Sequence, residues 1–157
     1  KLIELSDCTD SGFYLDDHQK LHEVLKRREQ NHKKTLLLGV SYALLDFAEE
    51  FPFSLSHTIV METGGMKGRR KEMVRDELHA QLKHNLGVKE IQSEYGMTEL
   101  LSQAYAKTDG RFHCPPWMEV FVRHPNNPME VQEHGFFIIP GNDQFLNHPH
   151  FMSFQRP

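Results

Sequence analysis

The sequence predicts an α/β fold: a mainly parallel sheet with helices on its faces, and a short antiparallel β extension towards the C-terminus. Three observations carry that expectation. Short apolar runs at Thr35–Ser41 and Thr58–Met61 suit strands buried on both faces, as parallel sheets require. Amphipathic stretches alternate with them, which implies βαβ units. After Gly110 the texture shifts to alternating apolar residues and turn pairs.

In chain order, Leu15 to Arg28 places Leu21, Val24 and Leu25 on a helical period, with Asp16 and Asp17 near the positive end of the helix dipole. The Thr35–Ser41 strand leads into a helix over Tyr42 to Phe51, stopped by Pro52. The second strand ends at Thr63-Gly64-Gly65. Lys71 to Leu86 reads as the clearest helix, because Val74, Leu78, Leu82 and Leu86 recur every four residues and Gly87 supplies the stop. Val88 to Tyr95 is the third strand, and Leu100 to Tyr105 looks helical. Further on, Val120–Val122 and Phe136–Ile139 suggest strands around a Pro125-Asn126-Asn127-Pro128 turn. The expected division is an α/β domain over 1–139 and an irregular tail over 140–157.

Composition narrows the function classes. The chain has 157 residues, enough for one domain with a real core. With 18 Lys+Arg against 22 Asp+Glu, its formal charge of −4 offers no global field for nucleic acid or anionic lipid. Cys8 and Cys114 make neither a disulfide framework nor a paired zinc motif, which points to a reducing compartment, most simply cytoplasm. No apolar run predicts a membrane span, and the start lacks a signal-peptide core. The chain opens on Lys1 rather than Met and is read as a piece of something longer.

Two loops at strand ends attract attention, since ligands of open parallel sheets bind outside the carboxyl ends of the strands. If the strands are neighbours, both loops face one crevice. The first is Glu62 to Arg70. Lys67, Arg69, Arg70 and Lys71 crowd the expected helix start, where the dipole disfavours cations. A bound anion would remove the conflict, and Gly64 and Gly65 would let backbone approach a ligand. A solvated basic turn explains the same residues. The Walker A pattern is absent. The second loop, Glu94-Tyr95-Gly96-Met97-Thr98-Glu99, offers a ring that can stack on a base, a hydroxyl for phosphate and a carboxylate for Mg²⁺. Equally, Tyr95 can be core, Thr98 a helix cap and Glu99 a dipole-matched first-turn residue.

Other candidates carry less. His18 and His22 share a helix face without a third metal ligand nearby, and read as solvated histidines. Cys114 beside His113 lacks a nucleophile elbow and reads as a small core or strand-end residue. Cys8 has no partner in sequence. Phe112, Trp117 and Met118 could line an apolar acyl pocket or simply pack.

The stretch from Thr35 to Pro128 resembles the acyl-protein synthetase (LuxE-type) branch of the adenylate-forming, AMP-binding ligases, near phenylacetate–CoA ligases. The matching segments are Leu36–Ser41, Glu62-Thr63-Gly64-Gly65-Met66-Lys67-Gly68-Arg69, Ser93–Tyr105 and Cys114-Pro115-Pro116-Trp117-Met118. The tyrosine-glycine-x-threonine-glutamate signature follows Gly65 by thirty residues. The resemblance implies a central part of the large N-terminal domain of an enzyme that turns ATP and a carboxylic acid, a fatty acid by likeness, into acyl-AMP. It then passes the acyl group to a thiol, on a protein cysteine or a carrier. By position, Gly64 and Gly65 would flank adenine, Tyr95 would stack on it, and Glu94 would lie by its edge. Gly96 and Met97 complete that turn. Thr98 would contact the α-phosphate and Glu99 would hold Mg²⁺, both with catalytic roles. A homo-oligomer or an acyl-reductase partner is implied, and nucleic acid is not.

The likeness has gaps. No Ser/Thr/Gly-rich phosphate loop, ribose-binding acid (Asp143 is not assigned to that role), lysine-bearing small domain or acyl-accepting C-terminal cysteine is recognisable. Little or no turnover is expected of residues 1–157 alone. The alternatives are a non-catalytic nucleotide-binding or protein-docking module derived from that fold and, more remotely, a metal-dependent hydrolase built on histidines.

Overall fold

The computed structural model describes residues 1–96, 101–108, 110–118, 122–124, 126–132 and 153–155. It is α/β, with parallel and antiparallel strand pairs. The chain divides into two compact units, Lys1–Ile91 and Gln92–Pro157. Among the described residues no helix is long and apolar enough to cross a membrane.

The first unit starts with a single helical turn, α1 (Leu2–Leu5), and then α2 (His18–Gln30). That helix begins at His18 rather than Leu15 because Asp17 caps it, its carboxylate accepting from Lys20 N at 3.1 Å. Leu15 itself has a φ of 44°, which ends any helical run there. The strand β1 (Thr35–Val40) pairs in parallel with β2 (Thr58–Thr63), in a register running from Thr35↔Thr58 to Val40↔Thr63. Between them, α3 (Ser41–Glu50) starts directly on the last residue of β1, so Ser41 belongs to the helix.

The following helix, α4 (Arg75–Leu86), is shorter than its apolar period predicts. Val74 is the residue before it and is half exposed, while Leu78, Leu82 and Leu86 are buried. Gly87 ends the helix at a φ of 59°, and a Cβ there would lie 3.0 Å from the Ser54 backbone.

Leu25 of α2, Leu45 and Phe47 of α3, and Leu82 and Leu86 of α4 share one core with Leu37, Val60 and Ile91. Side chains alternate across a strand, so Leu36, Leu38 and Ile59 point to the other face, where they are 41–50% exposed. The expectation of strands buried on both faces is therefore corrected: β1 and β2 bury one. At the amino ends of these strands Glu29 acts as a clamp. It accepts from Ser56 N at 2.8 Å, His57 N at 3.0 Å and Thr58 Oγ1 at 2.7 Å.

The second unit is built mainly of short strands. β3 (Ile91–Tyr95), β4 (Ala104–Ala106) and β5 (Arg111–His113) run antiparallel in succession, with Tyr95 opposite Ala104 and Ala106 opposite Phe112. Ala104, Ala106 and Phe112 form its small core, against which Tyr95, Cys114 and Met118 pack. The helix expected over Leu100 to Tyr105 is not formed at its described end, since residues 104–106 are a strand. Alternation explains this: Ala104 and Ala106 are buried while Tyr105 is 40% exposed.

An antiparallel pair, β6 (Val122–His124) with β7 (Asn127–Gln132), occurs in the expected region, but β7 begins within the 125–128 stretch expected to be only a turn. Ser153–Gln155, expected within an irregular tail, is a strand, β8, parallel to β5. The expected strand at Phe136–Ile139 lies outside the described residues, as does Val120.

Candidate functional site

The turn after β2 is held at two points. Gly64 takes a φ of 70°, a conformation that favours glycine. Its carbonyl lies 3.3 Å from Ser41 Oγ, at the first residue of α3. Two residues on, Met66 is buried in the first unit's core and pins the chain down. Gly65 differs from both: its φ is ordinary, and a Cβ there would meet nothing within 4 Å. Among the described residues, neither the backbone nor the packing demands a glycine at 65, which leaves space where its side chain would stand.

The basic residues behind this turn do not crowd a helix start. Lys67 to Lys71 precede α4 by several residues, and the first turn of α4 carries Asp76 and Glu77. The dipole conflict predicted for Lys67 to Lys71 is thus absent, and Arg75, the one cation at the start of α4, faces the Glu62 carboxylate. Arg70 is committed to α3, with Nε 2.9 Å from Asp46 Oδ1 and a paired contact to the Glu49 carboxylate. The hydrogen bond from Arg70 holds the Glu49 carboxyl below its ordinary range despite partial burial. Arg69 stands over the Tyr42 ring at 5.7 Å.

Beneath the turn lies a buried carboxylate that sequence reasoning missed. Glu62, 3% exposed, accepts from Ser41 Oγ at 3.0 Å. Its other oxygen is 3.7 Å from Arg75 Nε and 3.6 Å from His79 Nε2 on α4. A negative charge against the first residue of α3 suits that helix's positive end. The group is not a hydrolytic triad. Ser41 is 1% exposed, has no left-handed φ, and donates to a carboxylate rather than to an imidazole. The signal available in sequence was the acid at 62, placed inside an otherwise apolar strand.

In the second unit the turn after β3 begins with Glu94, Tyr95 and Gly96. Met97, Thr98 and Glu99 lie outside the described residues. Glu94 pairs in register with Tyr105 and Tyr95 with Ala104, so the two side chains point to opposite faces of the sheet. Tyr95 is half-buried, its ring edge-on to Phe112 at 6.0 Å. Burial, with a smaller contribution from neighbouring Cys114, pushes its hydroxyl pKa up. Gly96 passes close to Gln103, whose Cγ would lie 3.1 Å from an added Cβ.

The minor candidates separate cleanly. His18 and His22 are not merely solvated. His18 bonds Glu50 at 2.7 Å, and His22 stacks on Phe51 at 4.8 Å with Phe53 edge-on. Among the described residues, His22 Nδ1 is buried without a hydrogen-bond partner. Among the described residues no group of three metal-ligating side chains occurs. Cys114 is half-buried and burial raises its thiol pKa. Cys8 does have a partner: the Asp10 N–H and the Arg28 guanidinium, 3.2 Å away, lower its thiol pKa. Phe112 and Met118 pack together, but Trp117 is 78% exposed and donates to Ser102 Oγ at 2.9 Å.

No family model, curated protein or solved structure matches this chain.

Proposed function

We propose that the chain is part of an ATP-dependent ligase of the adenylate-forming kind, which activates a carboxylic acid, a fatty acid by resemblance, as acyl-AMP for transfer to a thiol. The observation that carries this reading is the Gly64–Gly65 turn. It stands at the carboxyl end of a parallel strand, the position where α/β sheets bind ligands. It is anchored at Gly64 and Met66 and left open at Gly65. An adenine or ribose approaching that backbone gives the glycine at 65 a reason that the fold itself does not supply.

In this reading Gly64 and Gly65 would present backbone to the base, and by the resemblance Tyr95 would stack on it. Thr98 and Glu99 take the α-phosphate and Mg²⁺. Mg²⁺ would neutralise phosphate charge as it develops, and no further step is assigned to it. The chain carries no Ser/Thr/Gly-rich phosphate loop, so nucleotide binding, rather than turnover, is the property assigned to residues 1–157.

Calorimetry with Mg-ATP and a non-hydrolysable acyl-adenylate mimic tests the reading. Saturable binding that weakens in Thr98→Ala and Glu99→Gln is expected. Absence of binding to either ligand by the folded chain would overturn it.

A further inference from the structure

Ser41 has one hydroxyl proton and two acceptors within reach: Glu62 Oε2 at 3.0 Å and the Gly64 carbonyl at 3.3 Å. Both bonds cannot be made fully at once. The carboxylate is the stronger acceptor, because hydrogen bonds to a charged oxygen are roughly twice as strong as neutral ones. Ser41 is 1% and Glu62 3% exposed, whereas Gly64 is exposed, so a buried acceptor competes with one that water can also reach. Arg75 and His79 of α4 flank the other Glu62 oxygen, while Ser41 of α3 faces Oε2. The hydroxyl therefore joins three things: the start of α3, a buried charge, and the first peptide of the open glycine turn.

We infer that Ser41 is a positioning residue for the Gly64–Gly65 turn, and that Glu62 sets how tightly it holds that turn by competing for the same proton. With Glu62 charged, the hydroxyl leans towards the carboxylate and Gly64 keeps a weak, shared bond. With the charge removed, the hydroxyl shifts to the Gly64 carbonyl and the turn tightens. Nucleotide affinity at the turn then depends on two side chains buried beneath it; this last step rests on the nucleotide-binding reading above.

The test separates the two claims. The ¹³C shift of the Gly64 carbonyl, which rises as the oxygen accepts a stronger hydrogen bond, is measured in the full chain without ligand. Ser41→Ala is expected to lower it and Glu62→Gln to raise it. A shift unchanged in both variants, or moving the same way in both, overturns the inference. Should Glu62→Gln not fold, Ser41→Ala against Ser41→Thr carries the test. The threonine hydroxyl is expected to restore the wild-type shift, and equal shifts in the two variants overturn the inference. Mg-ATP titration follows, with about a tenfold weaker Kd expected in Ser41→Ala. If the carbonyl shifts behave as stated and no chain binds nucleotide, the nucleotide reading falls while the role of Ser41 in holding the turn stands.

Discussion

Helices of ten to thirteen residues and six-residue parallel strands make up most of the first unit, whereas β4 and β5 of the second are three residues each. The first buries leucines, valine and phenylalanine from every long element into one core. The second rests on Ala104, Ala106 and Phe112, with half-buried neighbours around them. The two candidate turns inherit this difference. One is fastened by the buried Ser41 hydroxyl and a buried methionine; at the described start of the other, Tyr95 packs against Phe112 and the small core around it.

The largest effect should come from testing that asymmetry in the cores. Phe112→Ala is expected to cost about 3–5 kcal/mol and to erase hydrogen-exchange protection at Ala104 and Ala106. Leu82→Ala, also fully buried, should cost a comparable ~2–5 kcal/mol, but with the first unit's core still formed around Phe47 and Leu45. Retained protection at Ala106 in Phe112→Ala would show that the second core does not depend on Phe112.

Next in size is the Glu29 clamp of the first unit. Partial burial raises the Glu29 pKa, but bonds from Thr58, Ser56 and His57 outweigh it, and the net shift is downward. A carboxyl that titrates lower when folded stabilises fully above its unfolded pKa, and that contribution is lost as pH falls through the folded value. Glu29→Ala should cost about 2 kcal/mol near neutral pH. Glu29→Gln should flatten the acid side of a plot of urea midpoint against pH. An acid limb as steep as wild type in Glu29→Gln would count against the clamp.

His22→Phe should do the opposite and stabilise by about 1 kcal/mol, because it keeps a ring between Phe51 and Phe53 and removes the buried, unbonded Nδ1. A lower thermal midpoint would show that this nitrogen has a role the packing does not reveal.

The same contrast explains how much was legible in the sequence. Leu78, Leu82 and Leu86 repeat on one helix face, and Gly87 closes that helix, so α4 could be read from its period alone. Its start could not, because Val74 fits the apolar period yet lies outside the helix and is half exposed. Around Leu100 to Tyr105 the apolar residues satisfy a helical template, but a three-residue strand is too short to reveal its own alternation, and pairing with β3 decided the outcome. At the candidate site the glycines were visible, as was Tyr95. The Ser41–Glu62 contact was not, because it joins the first residue of α3 to β2 through a strand register that only the fold supplies. Arg70 misled for the same reason: its partners Asp46 and Glu49 lie on a preceding helix.

The neighbouring glycines bear most directly on function. Gly64→Ala should cost about 1–2 kcal/mol, since its φ of 70° is left-handed. Gly65→Ala, with ordinary φ and open space, should leave stability unchanged or raise it by about 0.5 kcal/mol. The decisive measurement is Mg-ATP affinity of wild type against Gly65→Ala, with both chains shown folded by urea unfolding. A methyl group where nucleotide meets backbone should weaken binding about tenfold or more at undiminished stability. Equal affinity in the two chains would contradict a nucleotide seated on that turn.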